Sequence, residues 1–242
     1  MRDEGESARC PLLLIHGAAG SSVVWIDVLR RLSGRRRVVA PDLPGHGQSE
    51  PWHELSISGY GEAVGTLCSH LGIGRAVVLG HSMGGAIALR LALDFPDRVA
   101  GLVLCSTAAH FQIAPAIHAV LEKDFGRLPE WFRHTAYSPK TPREVVDRWV
   151  SVAVQAPQEI AVGDFRALDG FDVRDRLREL RAPALVICGE DDLLTPPQGS
   201  RQLVEGIPGA RFTLLPRAGH MVFHEQPDGF HAALDPFLAE AP

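Results

Sequence analysis

The ten residues Val77-Val78-Leu79-Gly80-His81-Ser82-Met83-Gly84-Gly85-Ala86 constrain this chain more than any other stretch. A short apolar run rich in β-branched residues meets a Gly-x-Ser-x-Gly turn, and an apolar segment of helical character, Ala86 to Phe95, starts directly behind it. That order reads as strand, sharp turn, helix. Gly80 and Gly84 lack the Cβ atoms that would crowd so tight a crossing. Ser82 then stands at the apex with its hydroxyl above the sheet edge, where the unpaired N–H groups of the new helix also point. A serine so placed is a candidate nucleophile.

The same alternation runs along most of the chain. Leu12-Leu13-Leu14-Ile15, Arg37-Val38-Val39-Ala40, Ala76 to Gly80, Val99 to Cys105, Ala184 to Cys188 and Arg211 to Leu215 read as strands, mostly continuous apolar runs expected of a parallel sheet covered on both faces. Between them, Ser21 or Ser22 caps a helix running to Leu32, Ser56 to Leu71 and Asp172 to Leu180 read as helices, and Pro197 to Gly206 is a crossover helix. A terminal helix follows from about Gln226 to Ala239. Right-handed βαβ crossovers and an α/β class follow. From Ala108 to about Gly163 the alternation stops. Phe111, Phe125, Trp131, Phe132, Tyr137 and Trp149 lie in helical pieces broken by Pro115, Pro129, Pro139 and Pro142. A structureless loop of that length does not suit a compact domain, so an inserted helical unit is expected.

Three strand ends carry the residue types of serine hydrolysis: Ser82, a carboxylate among Glu190, Asp191 and Asp192, and His220. They follow the chain order nucleophile, acid, base. Each lies just past the carboxyl end of a predicted strand, so all three should project from one sheet edge. Two further loops leave that edge: His16-Gly17-Ala18-Ala19-Gly20 and Pro41-Asp42-Leu43-Pro44-Gly45-His46-Gly47-Gln48-Ser49.

On these motifs the chain resembles the α/β-hydrolase family in its serine-hydrolase branch, from Leu12 to about Leu238. The resemblance implies an α/β-hydrolase fold, a mostly parallel sheet with helices on both faces, with core 1–107 and 164–242 and a helical cap 108–163. Many relatives carry an antiparallel hairpin ahead of the first parallel strand; few residues precede Leu12 here, so a shortened N-terminal edge is expected. The resemblance makes the His16-Gly17 segment an oxyanion loop, with backbone donors at Ala18 and Met83. It selects Asp192 as the acid, three residues beyond Gly189. The Pro41–Ser49 loop has a structural role, and His46 is a loop residue. In the cap, Trp131, Trp149 and Phe111 are candidates to line the substrate pocket.

The activity implied is hydrolysis of carboxylic esters with small to medium acyl chains through an acyl-enzyme, with no metal or organic cofactor. A thioesterase, a lactonase, a carbon–carbon bond hydrolase and a methyl-ester esterase acting on a carrier-bound acyl chain would share the same triad. A receptor that kept the fold without catalysis is the alternative from another class.

Composition bounds this further. The chain has 242 residues, 45% apolar and 22% charged, enough for one domain with a sizeable core. A net charge of −5 argues against nucleic acid as a partner. The basic cluster Arg30, Arg31, Arg35, Arg36 and Arg37 reads as a solvated helix terminus. No apolar stretch approaches the ~20 residues of a membrane span. The charged start Met1-Arg2-Asp3-Glu4-Gly5-Glu6 lacks a secretory core, so a cytoplasmic enzyme is expected. Cys10, Cys68, Cys105 and Cys188 read as reduced thiols without zinc spacing. The partner expected is a small-molecule ester; oligomeric state is left open.

Overall fold

A computed structural model of the chain describes residues 2–4, 10–51 and 53–241. Among the described residues, seven strands form one sheet in the order β1-β3-β2-β4-β5-β6-β7. They are β1 (Arg2–Glu4), β2 (Leu12–Ile15), β3 (Val38–Ala40), β4 (Ala76–His81), β5 (Val99–Cys105), β6 (Ala184–Gly189) and β7 (Arg211–Leu215). All pairings are parallel except β1 with β3, where Arg2 faces Ala40 and Glu4 faces Val38. Ahead of β2, β1 is a three-residue strand that runs antiparallel to β3. Residues 5–9 of the N-terminal segment lie outside the described residues.

The central strands are buried on both faces because their side chains alternate between two cores. Leu12, Leu14, Val77, Leu79, Val103, Leu185 and Ile187 belong to one apolar cluster, with residues of α1 (Ile26–Leu32). Leu13, Ile15, Val78, Leu102, Leu104, Ala184 and Val186 belong to the other, with residues of α2 (Ile57–His70) and α3 (Met83–Asp94). This is a parallel sheet sandwiched by helices, the α/β-hydrolase fold expected from the sequence. Register brings the carboxyl ends together: Ile15 pairs Gly80, Gly80 pairs Leu104, Cys105 pairs Ile187 and Gly189 pairs Leu215. Every loop considered below leaves that edge.

Between β5 and β6 the chain builds α4 (Pro115–Lys123), α5 (Leu128–Thr135), α6 (Arg143–Ala153) and α7 (Gln158–Asp169). A neck closes this insertion: His110 and Asp172 form an antiparallel bridge, and Val173 N–H donates to the Ala109 carbonyl at 2.8 Å. The last helix runs through residue 163 to Asp169, and at Gly163 a Cβ would press on the Leu55 side chain at 2.9 Å. After β6 come α8 (Pro197–Gly206), α9 (Val222–Glu225) and α10 (Pro227–Glu240). Among the described residues no helix is long and apolar enough to cross a membrane.

Candidate active site

Ser82 stands between β4 and α3 at φ 55° and ψ −119°, a backbone conformation that costs a side-chain-bearing residue about 1–3 kcal/mol. Close packing holds it there. A Cβ on Gly80 would lie 2.0 Å from the Gly84 carbonyl oxygen, and one on Gly84 would lie 2.2 Å from that of Ile15. Only glycines let helix, turn and neighbouring strand approach so closely. Ser82 N–H donates to Cys105 at 3.0 Å, and the Thr107 hydroxyl donates to the Ser82 carbonyl at 2.8 Å. Met83 is the first residue of α3, so its N–H has no partner within the helix.

The loops after β6 and β7 cross at a second pair of glycines: a Cβ on Gly189 would meet the Gly219 carbonyl oxygen at 2.1 Å. This crossing brings Asp192 to His220. Both carboxylate oxygens lie 3.0–3.1 Å from His220 Nδ1, and both residues are buried. Asp192 also accepts from the N–H groups of Leu194 and Thr195 at 2.9 Å each and from the Thr195 hydroxyl at 2.9 Å. Such a carboxylate is anchored. It holds the proton of His220 on Nδ1 and leaves Nε2 as the basic nitrogen. The neighbouring acids go elsewhere. Asp191 accepts from the Ser138 hydroxyl at 2.6 Å, with Lys140 3.4 Å away, and the Ser138 bond is the first cause holding its carboxyl below the usual range. Glu190 is exposed, with a long contact of 3.4 Å to Arg217 N–H.

Two buried groups that the sequence reading leaves unassigned hold the His220 loop. Glu225 accepts from the N–H groups of Gly219 at 2.9 Å and Met221 at 3.1 Å, on either side of His220, and from Ser138 N–H at 2.8 Å. His81 Nε2 lies 3.0 Å from the His220 carbonyl and donates to it. Burial, then the nearby His220, keeps the His81 ring neutral by lowering its pKa well below the ordinary value. The signal for Glu225 is a lone carboxylate in the apolar run Met221-Val222-Phe223-His224-Glu225.

The His16–Gly20 loop is fixed just as closely. His16 Nε2 accepts from Leu43 N–H at 3.0 Å, so the proton is on Nδ1, which donates to the Gly17 carbonyl at 2.8 Å. Burial first, then His46, lowers the His16 pKa to about 4. Gly17 C=O and Ala18 N–H belong to one planar trans peptide, so holding the carbonyl aims the N–H the opposite way.

Ala18, Ser82 and His220 share the wall of one cavity of about 310 Å³. Phe111 and Trp131 line it, with Ile117, Phe132, Phe165 and Met221, and no Asp, Glu, Lys or Arg among the described residues takes part. Trp149 does not reach it. That ring is buried in the packing of α6 and stacks on His224 of α9, ring centres 3.9 Å apart and planes 6° from parallel. Its expected pocket role is corrected to one of joining cap to core, because helical spacing does not reveal which face of α6 looks inward.

A model described as the alpha/beta hydrolase family matches residues 12–233. The chain belongs to that family. This α/β hydrolase is 29% identical over 241 residues to a pimeloyl-[acyl-carrier protein] methyl ester esterase of Nitrosomonas europaea, covering 93% of this chain and 94% of that one. Among solved structures it is similar to the enol-lactonase from Burkholderia xenovorans LB400, at TM-score 0.92 and 28% identity, covering 99% of this chain and 95% of that one. It is also similar to a thermophilic esterase from Thermogutta terrifontis, at TM-score 0.89 and 28% identity, covering 99% and 92%. Within this α/β hydrolase the Pro41–Ser49 loop is braced by its own acid: Asp42 accepts from Ser22 N–H at 2.7 Å and Gln48 N–H at 3.2 Å. These three relatives are named as hydrolases, two of them of esters and one of an enol-lactone.

Proposed function

We propose that this α/β hydrolase is a serine carboxylesterase for uncharged, small to medium acyl groups, with Ser82 as nucleophile, His220 as general base and Asp192 as its orienting acid. The observation that carries this is the cavity, where a strained, partly exposed serine and an Asp-anchored histidine share one wall free of charged side chains. In the first step His220 Nε2 takes the Ser82 proton as Oγ attacks the ester carbonyl, and the N–H groups of Ala18 and Met83 bind the oxyanion. His220 then returns the proton to the leaving alcohol, and water releases the acid by the same route. Asp192 stabilises the imidazolium and does not itself take the proton.

The apolar wall and a volume near the low end for small-molecule sites favour a short or medium aliphatic acyl group without charge. Lactones form the second substrate class, favoured by the likeness to the enol-lactonase fold. A cytoplasmic setting accords with four cysteines that are all free thiols. The test is a series of p-nitrophenyl esters from acetate to laurate, with γ- and δ-lactones beside them, assayed on wild type and Ser82→Ala. Turnover that peaks at short to medium chains and falls by at least ~10³-fold in kcat in the variant is expected. Equal rates in both proteins would overturn the assignment.

A further inference from the structure

Asp164, on α7 of the cap, is a carboxylate without solvent exposure, 118 residues from its closest charged partner in the chain. Its Oδ2 accepts from Ala19 N–H at 2.8 Å, and its Oδ1 accepts from the Tyr60 hydroxyl at 2.6 Å. His46 completes the set, with Nε2 at 2.8 Å from Asp164 Oδ2. The other nitrogen of that ring, Nδ1, lies 3.0 Å from the Pro44 carbonyl. We propose that Asp164 and His46 form a buried imidazolium–carboxylate pair that positions the His16–Gly20 loop and neutralises the charge behind it. Both are positioning residues for the Ala18 N–H, and this role rests on the esterase function proposed above.

The geometry counts the protons of the pair, and the raised His46 pKa places the shared one on the ring. A neutral imidazole has one N–H, yet both nitrogens of His46 face oxygens: the Pro44 carbonyl, which only accepts, and Asp164 Oδ2, so a further proton lies in the Nε2–Oδ2 contact. Oδ2 receives Ala19 N–H, Oδ1 receives the Tyr60 O–H, and the Pro44 carbonyl only accepts. A proton on each ring nitrogen satisfies every contact. His16, with its ring centre 4.9 Å from that of His46, is held in its neutral tautomer by Leu43 and adds no competing positive charge. Burial acts to lower the His46 pKa, but the Asp164 bond and charge and the Pro44 carbonyl raise it overall.

The pair acts on the loop through Ala19. This residue has φ 58°, a left-handed conformation an alanine adopts only when held. Asp164 holds its N–H, while Gln155 and Ala156 N–H groups hold its carbonyl at 2.7 and 3.0 Å. The turn that aims the Ala18 N–H is therefore set by the cap. A bare carboxylate beside that turn would oppose negative charge building on a substrate oxygen, and the His46 proton cancels it.

The experiment compares His46→Gln, Asp164→Asn and the double variant by kcat and KM on p-nitrophenyl acetate and by the rate of Ser82 reaction with a fluorophosphonate. His46→Gln keeps a donor toward Asp164 but no charge; it should lower kcat about tenfold to a hundredfold with KM within about threefold. Asp164→Asn keeps an acceptor for Ala19 and should lose less than about tenfold. Placed on the His46→Gln background, Asp164→Asn should raise kcat, a reversal of sign that loss of packing does not produce. Losses that multiply in the double variant would overturn the proposal. Should the variants not fold, as circular dichroism would reveal, ¹⁵N shifts of the wild-type ring decide it: protons on both His46 nitrogens near neutral pH support the pair, and an unprotonated Nε2 overturns it. A wild type inert to ester and fluorophosphonate alike would overturn the esterase function, leaving the ring shifts to decide the pair.

Discussion

At Asp192 three carboxylates compete for one histidine, and the loop geometry separates them. Asp192 is buried on His220, Asp191 points to Ser138 and Lys140, and Glu190 is exposed. Replacing Asp192 with Asn should cost on the order of 10³ to 10⁴ in kcat near neutral pH, because an amide neither holds the tautomer nor stabilises the imidazolium. Asp191→Asn should cost less than about tenfold. Assayed side by side on one ester, a reversed order would move the acid to Asp191. A second residue-scale test concerns the turn: the Cβ of Gly84→Ala would lie 2.2 Å from the Ile15 carbonyl oxygen, which is backbone and cannot swing away. The strands must part or the helix must lift. Urea unfolding should show a loss of about 3 kcal/mol or more, and an unchanged midpoint would contradict the packing described.

At the scale of elements, the cap divides into residues that face the cavity and residues that bind cap to core. Trp131 is on the cavity wall, and Trp149 is in the stacked contact with His224. Trp131→Ala should therefore shift kcat/KM for long esters relative to acetate by about tenfold or more. Trp149→Ala should lower stability by about 3 kcal/mol while leaving the order of chain-length preference unchanged. Equal selectivity shifts in both variants would refute the division. The central strands are legible in the sequence because a strand buried on both faces must be apolar throughout, as Val99–Cys105 is. The strand Arg2–Glu4 is not, since its pairing is made by backbone atoms and its residues are charged. Helix α9 is too short to show a period. The loops bearing Ser82, Asp192 and His220 are legible because each must follow a strand. The links from Asp164 to His46 and from Glu225 to Gly219 are not, because they join segments that only the completed fold brings together.

For the whole molecule, the buried histidines set the response to acid. Burial is the first cause lowering the pKa of His16 to about 4, of His224 to about 3, and of His81 well below its ordinary value. In the unfolded chain each takes up a proton near pH 6.5, so below that the unfolded state binds protons that the folded state does not. Stability should then fall on acidification from about pH 6.5 to about pH 4, by about 1.4 kcal/mol per pH unit for each histidine. His46 acts in the other direction: its raised pKa contributes stability that is present below about pH 6.5 and lost as pH rises through the folded value. Urea midpoints across this range should peak near neutrality, and a flat profile would contradict the neutral, buried state of these rings.

Intact-protein mass spectrometry after exposure to a fluorophosphonate, with peptide mapping of the adduct, tests the central claim most directly. Wild type should gain one phosphonyl group on Ser82, in step with loss of ester hydrolysis, and Ser82→Ala should gain none. An adduct on another residue, or full hydrolysis by a protein labelled at Ser82, would contradict it.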